Sequence, residues 1–158
     1  MFSHAEAERV CMLEMQSLGL EEARQAIEAG EAAAAKLGLP MAFAVADVGA
    51  ELIAVSRMNG AHPRILRHAI RKAYTSATMC RNTLWFRRDL EDRKGSLEQW
   101  GDSDLTTLPG GLVVKSDRGF VGAVGTGGGG KHDEEVAHIM VRAMGFEPMI
   151  DKRAAPGA

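Results

Sequence analysis

Apolar positions fall at helical spacing in some stretches and alternate in others, and the changes between the two outline the fold. Ser3 followed by Glu6 fits a capping box and predicts a helix to about Ser17, with Val10 and Leu13 on one face. Gly19 interrupts it. Glu21 and Glu22 open a second helix at its positive end, and Ala23, Ala26, Ile27, Ala33 and Ala34 give it a thin apolar stripe. Leu37-Gly38 reads as its stop. Met41 to Val48 and Glu51 to Met58 read as two strands joined at Gly49-Ala50, a β-hairpin over 41–58. Pro63 suits the first turn of a central helix, in which Leu66, Ala69, Ala73 and Ala77 recur and which ends near Cys80.

Residues 81–110 are the least regular. Leu84, Trp85 and Leu90 anchor a short helix, and glycines and Pro109 punctuate the rest. Leu112–Lys115 and Phe120–Val124 flank Asp117-Arg118-Gly119, a second hairpin signal. After a glycine run, His132 or Asp133 caps a last helix that Gly145 stops. Two hairpins can share one antiparallel sheet with helices over it, an α+β fold. There is no run of βαβ units. One domain over 1–150 with a C-terminal tail at 151–158 is expected.

Composition narrows the function. The 158 residues are 46% hydrophobic and 25% charged, with a formal net charge of -2, which argues against global disorder and against a dedicated polyanion binder. Aromatics are only 5%, so few side chains are available to stack on bases. No apolar run approaches membrane-spanning length, and the N-terminus carries no signal-peptide pattern. Cys11 and Cys80 match no zinc or CxxC spacing and read as two free, buried thiols of a cytoplasmic protein. Charge is unevenly distributed. Residues 57–93 hold nine Arg or Lys against three acids, whereas 1–35 hold seven acids against two bases. Such segments hold subunits together or attract an anionic ligand.

The strongest local feature is the stretch from Gly125 through Thr126, Gly127 and three further glycines to Lys131, His132 and Asp133. Free amides between a strand and a helix hold carboxylates or phosphates. The order is not that of a P-loop, since His132 follows Lys131. His132 and His138 stand nearly opposite on a helix, and no HxxxH or HExxH motif is present, so no metal site is expected. Lys72 on the basic helix and Arg57 at the hairpin end are the notable cations. The simplest role for either is a salt bridge to Asp47 or Asp133.

These residues also carry a family resemblance. Leu20-Glu21-Glu22-Ala23, Val45-Ala46-Asp47-Val48-Gly49 and Arg57-Met58-Asn59-Gly60-Ala61 are followed in order by Lys72-Ala73-Tyr74-Thr75-Ser76-Ala77, Leu108-Pro109-Gly110-Gly111, Val121-Gly122-Ala123-Val124-Gly125 and Asp133-Glu134. Together they resemble the GlcG-like haem-binding proteins, the type also found as the C-terminal domain of PduO-type corrinoid proteins. The resemblance implies a profilin-like three-layer sandwich with a five-stranded antiparallel sheet, the fifth strand falling in 95–110. It also implies homodimers or higher oligomers, haem as cofactor and a place in a catabolic operon. Its recurrent polar positions fall on Asp47, Arg57, Asn59, Lys72 and Asp133, around a cleft with Gly125 and Thr126.

Three functions stay open. The first is a binding protein for haem or another anionic small ligand, held by Arg57, Asn59, Lys72, Gly125, Thr126 and Gly127. The second is a small cofactor-independent enzyme acting on a carboxylated or phenolic catabolite, in which His132 moves a proton beside Asp133 and Lys72 holds the anion. The third is an oligomeric structural accessory protein. Nucleic acid and membrane are not expected partners.

Overall fold

A computed structural model describes residues 13–150. Helix α1 spans Leu20–Leu37. Strands β1 (Ala42–Ala46) and β2 (Leu52–Arg57) follow. Next come α2 (Pro63–Met79), α3 (Thr83–Asp92), β3 (Gly111–Ser116), β4 (Gly119–Gly127) and α4 (Asp133–Ala143). The four strands form one antiparallel sheet in the order β2-β1-β4-β3. Both hairpins thus form as the alternation and turn signals predict.

The helices take opposite faces of the sheet. α1 and α4 cover the face bearing Met41, Phe43, Val45, Leu112 and Val124. Gly30 in α1 lets these layers close up, because a Cβ there would lie 2.9 Å from the Phe43 ring and 3.1 Å from Met140. α2 covers the other face through Ala69, Ala73 and Ala77 against Ala42, Ala44, Ala46 and Ala123. That face is built of very small residues, so the α2 backbone lies almost on the sheet. A Cβ on Gly125 would sit 2.1 Å from the Ala69 carbonyl oxygen, and one on Gly111 2.5 Å from that of Lys72. The close approach leaves no room for a solvent layer and draws Lys72 inside.

Several expectations are corrected. The sheet has four strands among the described residues, not five. Residues 97–100 form a 3-10 turn instead, and the loop after it is tied to α2. Arg71 donates to the carbonyls of Ser103, Asp104 and Leu105, Tyr74 Oη donates to Asp102 Oδ2 at 2.8 Å, and Thr75 Oγ1 accepts from Thr106 N at 2.9 Å. Side chains thus take backbone groups that a strand would have paired. Residues 13–19 are not helical, because Leu18 is buried and its N–H pairs with the Val121 carbonyl at 2.8 Å. The Ser3–Glu6 capping box, Cys11 and the tail at 151–158 lie outside the described residues. Cys80 is exposed, not buried, since it ends α2 in the left-handed conformation at φ 51°.

Candidate functional site

α2, the end of β4 and the start of α4 meet at one end of the sheet. Lys72 is 3% exposed, and its stem runs between the helix and the sheet. Its Nζ lies 2.7 Å from Asp133 Oδ2 and donates to the Thr126 carbonyl at 2.7 Å. The other carboxylate oxygen, Oδ1, accepts from Gly129 N at 2.7 Å. Thr126 Oγ1 donates to the Asp133 carbonyl at 2.6 Å, and Thr126 N to Gly110 O at 3.0 Å. A buried ion pair is tolerable only when its remaining polar atoms are also satisfied, and these backbone groups serve that purpose. Gly110, at φ 107°, closes the set: a Cβ there would sit 2.8 Å from Asp133 Cβ and 3.2 Å from Lys72 Nζ.

The pair floors an open cleft of about 320 Å³, lined by Ile65, His68, Lys72, Leu108, Pro109, Gly127, Gly128, Gly130 and Asp133. Its walls are mixed. Ile65, Leu108 and Pro109 are apolar, the glycine run presents bare backbone, and the floor is ionic. A hollow of similar size between α1 and α4, about 380 Å³, is lined by alanines, Val136 and Ile139 with Lys36 and Glu135, and has no buried charge.

His68 stands one turn before Lys72, so the i,i+4 spacing places both on one side of α2. Burial pushes the pKa of its imidazole down, and the charges of Lys72, Arg64 and Arg71 push the same way against the opposing pull of Asp133. The shift favours the uncharged ring, which offers a nitrogen lone pair. α2 itself carries Arg64, Arg67, Arg71 and Lys72 and no acid, so the field beside the cleft is positive.

The residues singled out in the sequence fall into two groups. Lys72, Asp133, Thr126 and Gly127 come together at the cleft. Gly125 lies under α2 in the sheet, where it permits the close approach. Arg57 is exposed on β2 and donates to the Ala61 carbonyl at 2.8 Å, and Asn59 is exposed in the following turn; neither lines the cleft. His132 ends the 3-10 turn 130–132 and pairs with Glu135 at 3.2 Å on the surface, not with Asp133. Asp47 is bound to its own turn, accepting from Gly49 and Glu51 amides. The sequence reading missed His68 and Ile65 as cleft residues. The four-residue step from His68 to Lys72 was the available signal, masked by the basic residues around it.

Comparisons with known proteins agree with this architecture. The model of a family described as haem degrading protein HbpS-like matches residues 18–142. A double mutant of Streptomyces reticuli HbpS is 25% identical, with a TM-score of 0.77 over 90% of this chain and 97% of that one. Klebsiella pneumoniae protein ORFY is 22% identical, with a TM-score of 0.79 over 88% of this chain and 98% of that one. PduOC, solved as a complex with heme, is 22% identical, with a TM-score of 0.76 over 85% and 99%. No curated protein matches the chain.

Proposed function

The chain belongs to the HbpS-like family of haem-degrading proteins, and from that premise we propose that its cleft binds haem, or another anionic small ligand, as an accessory to a catabolic pathway. The reading rests on one convergence. An uncharged imidazole, a buried ammonium, bare glycine backbone and an apolar wall open into the same cleft. PduOC, of similar fold and solved with heme bound, supports the choice of ligand.

The residues present fit haem. His68 supplies a nitrogen donor for iron, which needs no local sequence motif. Ile65, Leu108 and Pro109 offer apolar surface to a macrocycle, and Leu108 is 44% exposed and free to be covered. Lys72 and the positive field of α2 would attract a ligand carboxylate. Bound iron would supply the chemistry, and these side chains hold and orient the group that carries it.

Haemin titration followed at the Soret band tests the reading, with wild type beside His68→Ala and Lys72→Met, the fold of each checked by circular dichroism. Wild type should bind saturably. His68→Ala should shift the Soret maximum of the complex, and Lys72→Met should weaken affinity. A wild-type protein that binds neither haemin nor small carboxylates overturns the proposal, and equal affinity and spectra in all three proteins remove it from this cleft.

A second reading draws on the same geometry. An uncharged His68 beside the Lys72–Asp133 pair is a proton acceptor next to an anion holder, the arrangement an enzyme for carboxylated or phenolic catabolites needs. Turnover of such compounds that disappears in His68→Ala would favour it over simple binding.

A further inference from the structure

Residues 83–100 line no part of the cleft, yet they build a second hollow, of about 360 Å³, lined by Leu90, Arg93, Lys94, Gly95, Gln99 and Trp100. Trp100 meets the buried Phe86 edge to face, with ring centroids 5.6 Å apart and an interplanar angle of 75°. That contact fixes the indole, and 48% of the residue remains exposed. A Cβ on Gly95 would lie 3.2 Å from Gln99 Oε1 and 3.4 Å from Leu90 Cδ2, so glycine keeps that space open. An indole beside a leucine is a surface on which a planar aromatic ring packs.

The charge is one-sided. None of the six lining residues is acidic. Two neighbouring cations are paired, Arg81 with Asp89 and Arg87 with Glu91 at 2.9 Å. Among the described residues, Arg93 and Lys94 have no side-chain partner. The C-terminus of α3 favours cations, but it calls for no aromatic ring beside them. Lys94 also stands where glycine is usual. Gly95 N donates to Leu90 O at 2.9 Å and Lys94 N to Glu91 O at 3.1 Å, the bonds of a Schellman turn. That turn puts Lys94 in the left-handed region, at φ 53°. A side chain is kept at a position where its absence would ease the backbone, and it lines the hollow. Gln99 Oε1 accepts from Ser96 N at 3.4 Å, which leaves its amide nitrogen as a further donor.

We propose that this hollow binds a planar aromatic carboxylate, at a site separate from the cleft. The ring packs on Trp100 and Leu90, and the carboxylate takes a two-point hydrogen bond from the Arg93 guanidinium, with the Lys94 ammonium beside it. Both parts of the ligand are required. A simple anion leaves the indole uncovered, and a neutral aromatic leaves the cations to water. The hollow and the cleft share no lining residue, so this proposal does not rest on haem binding.

2-Naphthoate is the probe, titrated into the full chain and followed by amide and indole NMR shifts. The chain has two tryptophans, and Trp100→Phe assigns their indole N–H signals. Wild type should bind saturably at millimolar concentration or below, with the Trp100 indole and the Gly95 amide shifting most. 2-Naphthylmethanol lacks the charge and cyclohexanecarboxylate lacks the aromatic plane, and each should bind more weakly by about tenfold or more. Arg93→Gln, at an exposed position, should weaken 2-naphthoate binding by a similar factor. Trp100→Leu keeps an apolar contact for Phe86 and should do the same. Lys94→Gly separates binding from stability: it should weaken binding while keeping or raising the melting temperature. Absence of saturable binding overturns the proposal. So do shifts confined to Gly128 and Gly130 in the cleft, equal binding of the three compounds, or an affinity that Arg93→Gln and Trp100→Leu leave unchanged.

Discussion

Lys72 and Asp133 are 61 positions apart in the chain and 2.7 Å apart in the structure, and their ion pair joins the middle of α2 to the first residue of α4. Both are almost withdrawn from water, with side chains 4% and 10% exposed. Thr126 lies between them and is bound to both, through its carbonyl to Lys72 and through its hydroxyl to the Asp133 backbone. The end of β4 is therefore the common reference for the two helices.

Removing one member of this pair should cost more than removing both. Lys72→Met leaves a buried carboxylate uncompensated, a loss of about 3–5 kcal/mol. For a chain of this size that lowers the melting temperature on the order of 10 °C. Lys72→Met combined with Asp133→Leu removes both charges and should recover part of the loss. Urea denaturation of both singles and the double closes the cycle. Additive losses would show that the two charges do not stabilise each other.

Acid should weaken the fold through its histidines before the carboxylates titrate. The His68 pKa is lowered by burial and by its cationic neighbours, and that of His138 by burial and then by Arg142. Below the usual value of about 6.5 the unfolded chain therefore binds more protons than the folded one. This contribution is fully present above pH 6.5 and is lost as pH falls through the lowered folded values. Stability measured by denaturant from pH 7.5 to 5 should decline, and His68→Gln and His138→Gln should each flatten the slope. An unchanged profile in both buried-side variants would contradict the assignment.

What the sequence conveyed and what it hid separate along physical lines. The hairpins, α2 with Pro63 at its first turn, and the stop at Gly38 are local, set by alternation, helical spacing and turn residues. The burial of Lys72 is not local. It depends on Gly111 and Gly125 arriving beneath α2 from two other strands, and on its own Lys72 looks like one more cation on a basic helix. His132 looked like a site residue because it follows the glycine run, but the 3-10 turn at 130–132 directs it to Glu135 instead. The absent fifth strand has the same origin. Arg71 and Thr75, about thirty positions upstream, hold the 103–106 backbone and replace a sheet partner.

The glycines should therefore divide by function and not by conformation. Gly125→Ala drives a Cβ into the Ala69 carbonyl and the α2 backbone, neither of which can turn aside as a flexible side chain would. Separating helix and sheet should cost at least the roughly 1–3 kcal/mol of ordinary overpacking, and haemin affinity should fall as Lys72 shifts. Gly130→Ala meets nothing within 4 Å, and only its φ of 60° resists the change, so the loss should be smaller, about 1 kcal/mol. Thermal melts of the two variants give the comparison. Equal losses would mean that α2 can ride up from β4 at little cost.

The final prediction concerns the β3 edge of the sheet. Asn82 is 1% exposed and makes two long-range bonds from the residue before α3: its Oδ1 takes the Val113 amide, and its Nδ2 donates to the Met149 carbonyl at 2.9 Å. Thr83 beside it takes the Gly111 amide. Side chains from the start of α3 thus stand where a fifth strand would have paired, and one of them also fastens the segment after α4. Asn82→Leu keeps the branched shape but orphans a buried N–H and a carbonyl, at about 1–3 kcal/mol for each buried group left unpaired. Thr83→Val should lose less, since it orphans one amide and gives up only a long 3.4 Å donation to the Gly111 carbonyl besides. Hydrogen exchange separates this role from simple packing. In Asn82→Leu the Val113 amide should exchange much faster, while the Val124 amide, in the middle of the sheet, should change only with global stability. Thr83→Val should instead expose the Gly111 amide and spare Val113. If Val113 keeps its protection in Asn82→Leu, the strand is held by something other than this side chain, and the closure of the β3 edge must come from the packing of α3 alone.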